Sequence, residues 1–315
     1  MFGLGVVLLA AGSEALIRGS LAVARRLGVS ALFVSLVIMG FGTSAPELVV
    51  SVDAAMSLRP DIAIGNVVGS NIGNILLILG CCAVITPLTV TPAALGRDAL
   101  MVIVASILFL MLADGNELIG IDAAIFLFAL AAYLVFTYLG ERTVGTPSAT
   151  SGESESVAVI TAPGSAVTAM VLVIVGLVTL IAGSHILLIG AVGMAAALGV
   201  SETAVGLILV AMGTSMPELS VSIVAAFRGH ADVAIGNVLG SNIFNVLGIL
   251  GIAATIAPLP IPERIMQVDQ WVMLGASLAL LLFLYTDRRL SRLEGGIFLL
   301  CYASYAVLSF TVLKH

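Results

Sequence analysis

Apolar residues run along this chain in stretches too long for a strand and too continuous for the one-sided helix of a soluble protein. Cutting the runs at charges, prolines and glycines predicts ten helical segments, near residues 3–24, 30–57, 62–86, 96–113, 118–139, 165–197, 202–227, 232–257, 268–285 and 293–313. Each has the length of about 18 residues or more that a hydrocarbon core requires of a helix. One stretch breaks the pattern. Residues 140–164, GERTVGTPSATSGESESVAVITAPG, are rich in Ser, Thr, Gly and acid and read as a linker, with five segments on either side.

The two halves are copies of each other. At an offset of 171 residues they align without a gap from Gly12 against Gly183 to Asp98 against Asp269, and about 25 of the 39 positions from Gly42 to Gly80 are identical in the second copy. An odd number of segments per copy makes the second enter the membrane the other way up, an arrangement that places substrate near the midplane where the copies meet. The expected fold is all-α and polytopic: ten transmembrane helices in two inverted five-helix repeats, with broken helices at the midplane. The first repeat occupies 1–139, a cytoplasmic linker 140–164 and the second repeat 165–315.

Composition agrees: 60% of the 315 residues are hydrophobic and 10% are charged, which no soluble globule of this size can bury. The first run has no basic residues ahead of it and no small-residue cleavage site, so it reads as a permanent span. With the N-terminus outside, Arg25, Arg26, Arg97, Arg142, Arg228, Arg288, Arg289 and Arg292 fall on the cytoplasmic side, whereas Arg59, Arg264 and Lys314 fall outside. This bias predicts a multi-pass protein of the plasma (inner) membrane with both termini extracytoplasmic. Cys81, Cys82 and Cys301 lie in apolar runs and suggest neither a disulfide framework nor a metal cluster. No basic patch points to nucleic acid, no sequence feature implies a protein partner or a cofactor, and no nucleophile or phosphate motif points to an enzyme.

Two polar motifs interrupt the apolar runs in each copy: GTSAPE (42–47) with GNVVGSNIGN (65–74), and GTSMPE (213–218) with GNVLGSNIFN (236–245). Pro46 and Pro217 lack an N–H and clash with the carbonyls of Gly42 and Gly213, so each helix should break there and free a carbonyl. Helical spacing puts Thr43, Glu47 and Ser51 on one face, and Thr214, Glu218 and Ser222 on its counterpart. Asn66, Ser70 and Asn74 form a second stripe, as do Asn237, Ser241 and Asn245. The neighbouring glycines at 65, 69, 73, 236 and 240 read as helix packing. Glu47 and Glu218 do not, because a carboxylate near the bilayer centre costs about 2.5–3.5 kcal/mol on insertion scales and no base is near either in the chain. Carboxylates, hydroxyls and amide oxygens without His or Cys form a shell for hard cations, with Glu47, Glu218, Thr43, Thr214, Ser70, Ser241, Asn74 and Asn245 as candidate ligands. Among other ionisable residues, Glu14 and Arg18 should neutralise each other, His185 should be a packing residue, and Asp98 and Asp269 should cap the helices they begin.

The paired motifs resemble the two α-repeats, at 40–80 and 211–251, of the cation/calcium exchanger superfamily, in its sodium/calcium exchanger branch. The resemblance implies ten spans in two inverted repeats, and exchange of Na⁺ for Ca²⁺ by alternating access. It also implies Glu47 and Glu218 as central ligands, with Thr43, Ser44, Ser70 and Asn74 from one repeat and Thr214, Ser215, Ser241 and Asn245 from the other. Backbone oxygens at Gly40 and Ala211 would complete the sodium sites. Many relatives carry Asp where this chain has Asn245, leaving two carboxylates here, not three. The alternatives are a Ca²⁺/H⁺ antiporter and, in a different class, a cation channel.

Overall fold

The computed structural model describes residues 1–89, 94–143, 165–197 and 213–311. They form α1 (Phe2–Leu27), α2 (Ala31–Val34), α3 (Phe41–Thr43), α4 (Ala45–Met56), α5 (Pro60–Gly73), α6 (Gly80–Ile85), α7 (Leu100–Ala113) and α8 (Gly120–Thr143) in the first half. The second half contributes α9 (Ala166–Ala197), α10 (Met216–Phe227), α11 (Ala231–Ile243), α12 (Leu250–Ile256), α13 (Gln270–Asp287) and α14 (Arg292–Thr311). Wide π-helical turns at Ser35–Gly40, Asn74–Leu79 and Phe244–Ile249 join α2 to α3, α5 to α6 and α11 to α12. Among the described residues seven helices are long and apolar enough to cross a membrane, and α2–α3 with α4, bent by 44°, make an eighth such run.

The bend lies where Pro46 predicts it. Ser44 leaves helical geometry at φ −79°, ψ 8°, and α4 restarts with Pro46 in its first turn, where a missing N–H costs no hydrogen bond. Ser215 repeats this at φ −85°, ψ 8° before Pro217. The carbonyls expected to be free have partners: Gly42 O accepts from the Ser44 N–H, and Gly213 O accepts from Ser184 Oγ at 2.6 Å. Short polar side chains and tightened turns take up the oxygens that a proline releases, because hydrocarbon tolerates no unpaired carbonyl.

Helices α1 and α9 lie against each other with their main chains nearly touching. A Cβ on Gly5, Gly12 or Gly19 would come within 2.6–2.9 Å of the α9 backbone, and one on Gly176, Gly183 or Gly190 within 2.4–2.9 Å of the α1 backbone. Both triplets recur every seven residues, and each glycine is its counterpart's image at the 171-residue offset. Seven residues are nearly two helical turns, so each triplet lines one face, and only glycine permits this approach.

Two short antiparallel ladders, absent from the all-α expectation, tie the halves together. Leu88–Thr89 pairs with Arg289–Leu290, and Glu117–Leu118 with Leu259–Pro260. Helix α8 runs through Gly140–Thr143, the first residues of the expected linker. The rest of that linker, 144–164, lies outside the described residues.

Asp98 and Asp269 are not the predicted caps. Each is buried and accepts a tyrosine hydroxyl, Tyr133 at 2.7 Å and Tyr305 at 2.9 Å, and each pairs with an arginine, Arg97 at 2.6 Å and Arg264 at 3.2 Å. Arg97 also meets Glu141 at 3.2 Å, and Glu141 accepts from the Ser30 N–H at 2.9 Å. A buried carboxylate needs this compensation more than a helix start needs a cap. Glu14 pairs with Arg18 at 2.6 Å as its spacing predicts, and also with Arg228 at 3.3 Å. His185 is exposed, contrary to a packing role.

Candidate cation site

The breaks at Ser44 and Ser215 set two helix N-termini inside the molecule, with Glu47 in the first turn of α4 and Glu218 in the first turn of α10. An N-terminal turn favours a carboxylate, which offsets part of the cost of burying one. Both glutamates are enclosed, at 1% and 0% exposure.

Each carboxylate is held by the other copy's motif. Ser215 Oγ donates to Glu47 Oε1 at 2.9 Å, and Ser44 Oγ donates to Glu218 Oε1 at 3.0 Å. Ser215 also lies 3.4 Å from Ser70 Oγ. On the opposite flank the Gly40 carbonyl accepts from Ser241 Oγ at 3.0 Å, Thr43 Oγ1 at 3.4 Å and the Ser44 N–H at 3.3 Å. Thr214 sits half-buried at the break before Ser215. Asn74 and Asn245 are buried four residues after Ser70 and Ser241, at two of the π-helical turns, the widened geometry that often marks a functional site. Eleven of the twelve predicted ligands therefore fall in or beside one cluster, and Ala211 lies outside the described residues.

The second polar stripe divides by role. Asn66 Nδ2 donates to the Glu47 carbonyl at 3.1 Å and to Ser51 Oγ at 2.9 Å, and Asn237 Nδ2 donates to the Glu218 carbonyl at 3.3 Å and Ser222 Oγ at 3.0 Å. These four residues brace each broken helix on its neighbour, so Ser51 and Ser222 share the glutamate faces without joining the site. Of the glycines, Gly236 and Gly240 meet the α2 and π-turn backbone at Leu32 and Leu36 as packing predicts. Gly69 and Gly73 instead line a cavity with Ser70, Ser215, Met216 and Tyr302 that has about 30 Å³ for the centres of water-sized groups, enough to admit water. Phe41 stacks on Phe244, ring centroids 4.4 Å apart, beside the Gly40 flank.

What remains for a ligand is oxygen. Glu47 Oε2, Glu218 Oε2, Asn74 Oδ1 and Asn245 Oδ1 are buried and have no hydrogen-bond partner among the described residues. No grouping of three or more His, Cys, Asp or Glu occurs among those residues, so the site's charge comes from two carboxylates. Two unit negative charges match one divalent ion, and oxygens without nitrogen or sulfur match a hard one.

Comparison with known proteins agrees with this chemistry. The family described as sodium/calcium exchanger protein matches residues 1–139 and 168–311. CaxA of Alkalimonas amylolytica is 38% identical over 313 residues, covering 98% of this chain and 97% of its own. The sodium/calcium exchanger MaX1 of Methanosarcina acetivorans is 31% identical, covering 98% of this chain and 97% of its own. Among solved structures, the sodium-calcium exchanger NCX_Mj superposes with a TM-score of 0.82 at 33% identity, over 98% of this chain and 97% of that one.

Proposed function

This chain belongs to the sodium/calcium exchanger protein family, and we propose that it binds Na⁺ and Ca²⁺ in turn at one central all-oxygen site shared by its two repeats. The ligands are Glu47 and Glu218 with Thr43, Ser44, Ser70 and Asn74 from the first copy, Thr214, Ser215, Ser241 and Asn245 from the second, and backbone oxygens at Gly40 and Ala211. The observation that carries this reading is the exchange of partners across the repeats, Ser215 to Glu47 and Ser44 to Glu218. A site built from both copies senses any movement of one against the other, as alternating access requires. The ions are substrates. No cofactor takes part, and the chain is a transporter, not an enzyme.

The ladders support ten crossings in two inverted repeats. Leu88–Leu290 joins the loops after the third and ninth predicted spans, and Leu118–Leu259 joins those after the fourth and eighth. Loops share a side when an even number of crossings separates them, and the six and four predicted spans that lie between these paired loops meet that condition if each one crosses. The arginine bias then puts the first ladder at the cytoplasmic face and both termini outside.

The two-glutamate site is tested by Glu47→Gln and Glu218→Gln, which keep volume and remove charge. Each should fold and lose at least about a hundredfold in Ca²⁺ affinity, ~2.7 kcal/mol, measured by calorimetry on purified protein. Wild-type affinity in either variant would refute the site.

A further inference from the structure

Asn71 and Asn242 hold equivalent positions in the two copies, one residue after Ser70 and Ser241, and both are buried. Neither is among the ligands proposed above. Each amide nitrogen donates to the other's main chain: Asn71 Nδ2 to the Asn242 carbonyl at 3.1 Å, and Asn242 Nδ2 to the Asn71 carbonyl at 3.4 Å. A main-chain carbonyl can only accept, so these contacts fix which way round each amide sits. The side-chain oxygens are then turned toward the next asparagine along. Asn71 Oδ1 accepts from Asn245 Nδ2 at 3.1 Å, and Asn242 Oδ1 accepts from Asn74 Nδ2 at 3.0 Å.

An acceptor at that place can be met only by the NH₂ end of Asn74 or Asn245. Their oxygens must therefore face away from the pair, and both are buried and left without partners among the described residues, as are one oxygen each of Glu47 and Glu218. We propose that Asn71 and Asn242 are positioning residues, a reciprocal amide pair across the repeats that makes Asn74 and Asn245 present oxygen, not NH₂, to the cation. An asparagine is nearly the same shape either way round, and a flipped one would place a donor against a positive ion. Partners behind a ligand orient it, and their loss costs about 10–100-fold in metal affinity.

The inference rests on the central site proposed above, and it carries a signature of its own. A carboxylate has two equivalent oxygens, so an aspartate at position 245 has no orientation to be fixed. Asn71 should matter only while residue 245 is an amide.

The test is sodium-driven radiocalcium uptake into proteoliposomes at alkaline pH by four forms: wild type, Asn71→Leu, Asn245→Asp and the double variant. Leucine keeps the shape of asparagine and removes both polar ends. Asn71→Leu should raise the KM for Ca²⁺ by about tenfold with turnover changed less than about twofold. In the Asn245→Asp background the same substitution should have no effect on KM, or lower it. An unchanged KM in Asn71→Leu, or an equal rise in both backgrounds, overturns the proposal. If Asn71→Leu does not fold, Asn242→Leu with Asn74→Asp makes the equivalent comparison. If neither leucine variant folds, the pair is structural and the proposal fails. Glu47→Gln in the same assay separates the two readings: loss of uptake there with no response to Asn71→Leu removes the orienting role alone, whereas wild-type uptake by Glu47→Gln removes the site itself.

Discussion

Ser44 Oγ donates to Glu218 Oε1 at 3.0 Å across 174 residues of sequence, and its counterpart Ser215 Oγ donates to Glu47 Oε1 at 2.9 Å. Each half supplies a carboxylate that the other half orients. Movement of one motif against the other separates each carboxylate from its serine.

Ser44→Ala and Ser215→Ala should therefore act alike. A hydrogen bond to a charged group contributes about 1.5–3 kcal/mol, and each serine is also a proposed ion ligand. The expected result is a rise in the KM for Ca²⁺ of at least about tenfold in each variant, with a lower melting temperature, because each substitution takes the donor from an enclosed carboxylate. Uptake kinetics and melting curves of the purified variants check it.

Glycine packing between α1 and α9 makes a prediction about stability. A Cβ on Gly12 would stand 2.9 Å from the Leu180 nitrogen and one on Gly176 2.6 Å from that of Leu16, whereas one on Gly3 meets nothing within 4 Å. Gly12→Val and Gly176→Val should each cost about 1–3 kcal/mol or more through overpacking and lower the melting temperature, and Gly3→Val should leave it unchanged. Gel filtration after graded heating reads the difference.

The two arginine–aspartate–tyrosine groups should differ in strength. Arg97 is 15% exposed and Arg264 40%. Removing Arg97 leaves the fully enclosed Asp98 charge without its partner, so Arg97→Leu should destabilise by about 3–5 kcal/mol. Arg264→Leu removes a more exposed partner from an aspartate that is slightly less enclosed, and should cost less than Arg97→Leu. Denaturation in mild detergent compares the two.

How far the sequence reveals this molecule depends on whether a residue's role is local. Apolar runs mark their helices because hydrocarbon demands length and continuity, and Pro46 and Pro217 mark the breaks because a missing N–H acts within one turn. Glu47 and Glu218 declare themselves by their charge. Asn71 and Asn242 do not, since an asparagine next to a small-residue stripe looks like ordinary interhelical glue, and its partner is 171 residues away. Their one signal is recurrence in both copies, shared with many packing positions. The seven-residue glycine triplets of α1 and α9 are visible on paper, but only the helix pairing shows which surface they face. Asp98 and Asp269 mislead because a helix start explains an acid locally, while Tyr133, Tyr305, Arg97 and Arg264 compensate it from elsewhere or from the same turn.

Coupled transport through one shared site is tested most directly by radiocalcium uptake into proteoliposomes under an outward Na⁺ gradient, an outward proton gradient and no gradient. Uptake should rise with the Na⁺ gradient and stay near the no-gradient level with protons alone. Glu47→Gln and Glu218→Gln should abolish the Na⁺-driven part. Uptake that follows the proton gradient and ignores Na⁺ would contradict sodium–calcium exchange in this chain, and Na⁺-driven uptake that survives both glutamate substitutions would contradict the site.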